Sequence, residues 1–86
     1  MYRVDWLQSA LDEVTILWMR ADSSLRQEIT QAVYTVDQLL TDDPEKHGES
    51  RSGNERIVFV DPLAVFYRIE QDSGIVTILR VRQYPE

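Results

Sequence analysis

The sequence predicts an α+β fold in which a hairpin of two helices covers one face of a mainly antiparallel sheet, in the order β-α-α-β-β-β. Three observations carry this. Two stretches, Leu7–Ala21 and Leu25–Leu40, repeat apolar residues at helical spacing. Only Asp22, Ser23 and Ser24 separate them, so the helices must turn back on each other. Behind them come three runs rich in β-branched and aromatic residues: RIVFVD at 56–61, LAVFYRIE at 63–70 and IVTILRVR at 75–82.

Tyr2, Val4 and Trp6 alternate with Arg3 and Asp5, the period of a short first strand. The first helix is expected over about 8–21, with Ser9 as N-cap and Asp12 and Glu13 in the first turn, where the helix dipole favours acids. The second is expected over about 23–41, opened by a Ser24/Gln27 capping box and closed before Pro44. Residues 42–55, DDPEKHGESRSGNE, read as one long mobile loop without an apolar anchor. Pro62 marks a corner, and Asp72-Ser73-Gly74 marks a hairpin turn. After the last strand, Tyr84-Pro85-Glu86 continues no helix.

Eighty-six residues and 43% hydrophobic content fit one domain, 1–86, with one modest core that a partner would help to stabilise. The chain has no cysteine and one histidine, which leaves no thiolate or transition-metal site and no expected cofactor. No apolar run approaches the ~18 residues of a membrane span, and the first residues are charged. A cytoplasmic protein without membrane contact is therefore expected. Net charge is −6, all of it from residues 1–50, whereas residues 51–86 are balanced and draw every positive charge from arginine. Overall acidity opposes general nucleic-acid binding.

Alternation assigns the sheet faces. Leu63, Val65, Tyr67 and Ile69 should face the helices, and so should Ile75, Thr77, Leu79 and Val81, since the other parity would bury Arg80 and Arg82. Phe66, Val76, Ile78 and Arg80 are then left on the opposite face, an apolar patch edged by arginine and a candidate partner-binding surface.

The segment Val36-Asp37-Gln38-Leu39-Leu40-Thr41-Asp42-Asp43-Pro44, then Gly48-Glu49-Ser50-Arg51, Arg56-x-x-Phe59 and Pro62-Leu63-x-Val65-x-Tyr67-x-Ile69, resembles the RelE/ParE superfamily of bacterial toxin–antitoxin systems. Within it, the pieces are similar to the plasmid-stabilisation-type, toxin-like subgroup. The resemblance spans nearly the whole chain. It implies a partner antitoxin and one of two activities: cleavage of messenger RNA on the ribosome, or inhibition of DNA gyrase through protein contacts. A nuclease of this kind needs basic groups on the scissile phosphate and an acid or base beside them. In this chain those would be Arg56, Arg68, Arg82 and Tyr84. Ala64 stands where the nuclease members carry a key arginine. Arg51 reads as holding the loop to the sheet, with phosphate or partner contact as its functional alternative. His47, among Glu45, Lys46 and Glu49, reads as a solvated imidazole or a general base. Three functions follow: a toxin-like component acting through protein contacts, an endoribonuclease with a partial basic site, and a non-toxic dimerising or regulatory homologue. The acidity and Ala64 favour the first and third.

Overall fold

In the computed structural model, which describes residues 1–85 apart from the side chains of Arg51 and Ser52, the chain runs β1 (Arg3–Trp6), α1 (Gln8–Arg20), α2 (Ser23–Asp42), α3 (Pro44–His47), β2 (Glu49–Ser52), β3 (Glu55–Val60), β4 (Leu63–Glu70) and β5 (Ile75–Gln83). The expected β-α-α-β-β-β order is present, with α3 and β2 added between α2 and β3. The strands form one sheet in the order β1-β5-β4-β3-β2. β1 pairs with β5 in parallel, and every other pair is antiparallel.

The helix hairpin lies on one face. Ala10, Ala32, Val36 and Leu40 from the helices meet Val58, Leu63, Val65, Tyr67, Ile69, Val76, Ile78 and Val81 from the sheet. The helix ends are held differently from the expected caps. α1 starts directly from the sheet: Leu7 N–H donates to Ile78 O at 3.1 Å and no side chain caps the helix, which leaves Ser9 inside it. α2 is capped by Asp22, whose carboxylate accepts from Leu25 N–H at 2.8 Å, so the charged acceptor displaces the Ser24/Gln27 box. Arg26 then ties the hairpin together. Its guanidinium donates to Trp18 O and Met19 O, carbonyls of the last turn of α1, and sits 4.4 Å from the Trp18 ring centre.

The stretch 42–55 is not one irregular loop. It contains α3 and the β2 strand paired with β3. The apolar anchor missing from its own sequence comes from elsewhere: Pro44 is buried, and the Tyr67 hydroxyl donates to Pro44 O at 2.5 Å. Burial raises the Tyr67 phenol above the ordinary tyrosine value, against a smaller lowering by Arg56. The folded state therefore prefers the neutral phenol. Tyr67 contributes stability that is fully present below about pH 10 and is lost as pH rises beyond it. Urea melts from pH 8 upward are expected to show this loss, with a shallower slope for Tyr67→Phe; identical slopes would show that Tyr67 carries no linkage.

Candidate functional site

The far face of the sheet, away from the helices, is shaped by one irregularity. Between β4 and β5, Ile78 stands opposite Tyr67 and Arg80 opposite Phe66, so Leu79 is an extra residue on β5. Such a bulge shifts the alternation of everything before it relative to everything after it. Val76 and Ile78 precede it and point into the core, each 0% exposed; Val81 follows it and is also in the core, at 1%. The expected placement of Val76 and Ile78 on the open face is therefore wrong. Thr77 and Leu79, expected inside, lie on the other side: Thr77 Oγ1 donates to Glu70 Oε2 at 3.2 Å, and Leu79 lines a cleft with Glu55, Phe66 and Arg80.

Phe66 and Arg80 do lie on the open face, with the guanidinium 4.9 Å from the ring centre. Around them the register sets Ile57 beside Phe66, and Phe59 beside Ala64. Phe59 is 43% exposed, and its ring packs 4.9 Å from that of Tyr84, which is 51% exposed. Glu55, Arg68 and Thr77 form the neighbouring row. The site is thus an apolar strip of Ile57, Phe59, Phe66, Leu79 and Tyr84, flanked by Arg68, Arg80 and Glu55. Alternation alone missed Leu79, and the sequence offers Tyr84 as a nuclease candidate rather than as part of this strip.

The four residues that a nuclease would need do not converge. Arg56 stands opposite Tyr67 and so points to the helix side. One of its guanidinium nitrogens donates to Glu45 O at 2.8 Å and Gly48 O at 2.6 Å, which pins α3 to the sheet. The cleft of about 660 Å³ that Arg56 lines also carries Glu45, Glu70 and Asp72, three carboxylates that repel phosphate. Arg68 and Tyr84 are on the opposite face. Arg82 is drawn to the helix layer by an ion pair with Glu13. Ala64 presents no charge, and its side chain is buried. His47 ends α3 and is exposed. The Arg51 side chain lies outside the described residues. Among the described residues, no cluster of His, Cys, Asp or Glu could hold a metal ion.

The Arg82–Glu13 pair has another task. β1 ends at Trp6, opposite Ile78, so β5 runs on with a free edge. There Glu13 Oε1 accepts from Val81 N–H at 2.8 Å, and Arg82 Nη1 donates to Glu13 Oε2 and to Val81 O. These side chains occupy backbone groups that would otherwise invite another strand. Glu13→Ala is expected to cost about 1–2 kcal/mol, mostly from the orphaned Val81 N–H rather than from the half-exposed ion pair. Glu13→Gln keeps an acceptor and should cost less. Equal losses in urea melts would shift the weight to the ion pair.

The comparisons with known proteins agree with this architecture. The family model described as the ParE toxin of the type II toxin–antitoxin system parDE matches residues 4–83. No curated protein matches the chain by sequence. Among solved structures, the toxin–antitoxin complex RelBE2 of Mycobacterium tuberculosis is similar with a TM-score of 0.76 at 18% identity, over 95% of this chain and 96% of that one. A chromosomal ParDE system from P. aeruginosa is similar with a TM-score of 0.75 at 14% identity, over 96% of both chains. The intact E. coli RelBE complex is similar with a TM-score of 0.62 at 16% identity, over 100% of both. At these identities the structures establish a shared fold, while the family model establishes kinship over nearly the whole chain. This chain belongs to the ParE toxin family of type II toxin–antitoxin systems.

Proposed function

We propose that the chain is the toxin-like component of an antitoxin pair, and that it acts through protein contacts made by the open face of its sheet rather than by cutting RNA. One observation carries the choice between these chemistries. Arg56, the sole basic side chain at the start of β3, turns one guanidinium nitrogen to the Glu45 and Gly48 carbonyls and buries its Nε, on the opposite side of the sheet from Arg68 and Tyr84. A phosphate held by Arg56 is on the wrong side of the sheet for Arg68 and Tyr84, and without convergent charge the developing negative charge is not stabilised. The open face instead offers aromatic and aliphatic side chains with arginine at their edge, the composition of a protein contact. Family membership supports an antitoxin as partner, and the relatives RelBE2, ParDE and RelBE are themselves toxin–antitoxin pairs. No described helix is long and apolar enough to cross a membrane. In this reading residues 1–86 act in the cytoplasm as one domain, with DNA gyrase as target and plasmid stabilisation as the outcome.

The test is induced expression in a bacterium, with and without any short reading frame found directly beside this one. Growth arrest that the neighbour relieves, no cleavage of naked or ribosome-bound RNA, and loss of arrest in Phe66→Asp are the expected results. Inhibition of DNA supercoiling in vitro would name the target. RNA cleavage abolished by Arg56→Ala would overturn the reading.

A further inference from the structure

We infer that, in the absence of a target, the open face closes on a second copy of this chain, with Arg80 of each protomer meeting the partner's Glu55. The inference rests on the reading of this face as a contact face and adds what occupies it. The bulge at Leu79 turns two successive residues, Leu79 and Arg80, toward Phe66, at the cost of one unpaired position in the ladder. The cleft they form with Glu55, about 170 Å³, has a base on one side and an acid on the other. A surface that carries both signs about an apolar centre is complementary to itself: a two-fold axis brings the acid of each copy to the base of the other.

Charge decides against most other ways for two copies to meet. The chain carries −6, so two copies repel wherever acids predominate. On the open face Arg68 and Arg80 offset two of the three acids Glu49, Glu55 and Glu70, which leaves one net negative charge there. The exposed rings of Phe59 and Tyr84 extend the apolar strip. The area sets the strength. Three strands of about eight residues, at about 3.3 Å per residue and 4.8 Å per strand, present roughly 400 Å² in projection. Stable interfaces bury about 800 Å² per partner. The dimer is therefore reversible, and it competes with the target for the same face.

Sedimentation of the purified full chain across a concentration series tests this, with circular dichroism to confirm folding of each variant. The wild type is expected to pass from monomer to dimer. Arg80→Glu and Glu55→Arg, both at exposed positions, should each weaken self-association at least about tenfold by placing like charges together. Mixing the two single variants should restore association, because both contacts then join opposite signs. A wild type that stays monomeric at every concentration, single variants that associate as tightly as wild type, or a mixture no tighter than its parts would each overturn the inference. None of these results touches the toxin reading, which is scored by growth arrest and its relief.

Discussion

Ile78→Asp is expected to abolish folding, whereas Phe66→Asp leaves the protein folded. The two residues are near neighbours on adjacent strands, since Tyr67 stands opposite Ile78, yet they belong to different environments. Ile78 is 0% exposed, in the core cluster with Val76 and Tyr67. Aspartate there forfeits about 1.5–3 kcal/mol of apolar burial and places an unpaired carboxylate in the interior. Uncompensated buried charge costs a further 3–5 kcal/mol or so. The sum is comparable to the whole stability of a small domain, about 5–15 kcal/mol. Phe66 is only half buried and already lies against a guanidinium. Its replacement loses a cation–π contact of about 0.5–1 kcal/mol and some apolar cover, while the new carboxylate can meet Arg80. Circular dichroism and urea melts decide the matter. If both variants fold with equal stability, the bulge at Leu79 is not where the structure places it, and β5 runs in unbroken alternation.

The bulge is also the point at which the sequence was least legible. The helix hairpin, the antiparallel pairing of the last three strands and the core face of β4 follow from periodicity, because α1, α2 and β4 each keep one unbroken pattern. β5 does not. Its residues Ile75 to Arg82 admit two regular registers: one buries Thr77, and the other buries Arg80 and Arg82. The less costly of the two was expected, and neither is adopted. One extra residue lets Val76, Ile78 and Val81 all join the core cluster while Arg80 and Arg82 stay exposed and Thr77, buried on the other face, bonds to Glu70. The conflict between the two registers is itself the signal of a bulge, since either regular solution turns Thr77 or two arginines toward the helices. The 42–55 stretch was misread for a different reason. Its anchors, Tyr67 and Arg56, lie in β4 and β3, and no local pattern reports a contact made from a distant strand. For the candidate site, Phe66 and Arg80 were legible from β4 parity and from the cost of burying arginine. Leu79 was not, and the scattering of Arg56, Arg68, Arg82 and Tyr84 needed the sheet topology.

The distant anchoring of α3 leads to the second large effect. Gly48→Ala is expected to destabilise the protein by about 1–3 kcal/mol, and Tyr67→Phe to return part of that loss. Gly48 takes an ordinary extended backbone with φ −112°, so alanine meets no conformational strain there. The obstacle is space. A Cβ on Gly48 would fall on the Tyr67 hydroxyl and 2.8 Å from its ring Cζ. Tyr67 has no room to retreat: it is 0% exposed, and its hydroxyl is held by Pro44 O. Arg56 closes the same corner by donating to Gly48 O. Either α3 lifts and breaks these bonds, or the ring is forced off its rotamer. Tyr67→Phe alone loses the bond to Pro44 O, about 1 kcal/mol net. In the double variant the hydroxyl that blocks the Cβ is gone, so its loss should be smaller than the sum of the single losses by about 1 kcal/mol or more. Urea melts of the four proteins measure this coupling. Strict additivity would mean that the glycine at position 48 is not required by Tyr67, and that α3 is held to the sheet chiefly by Arg56.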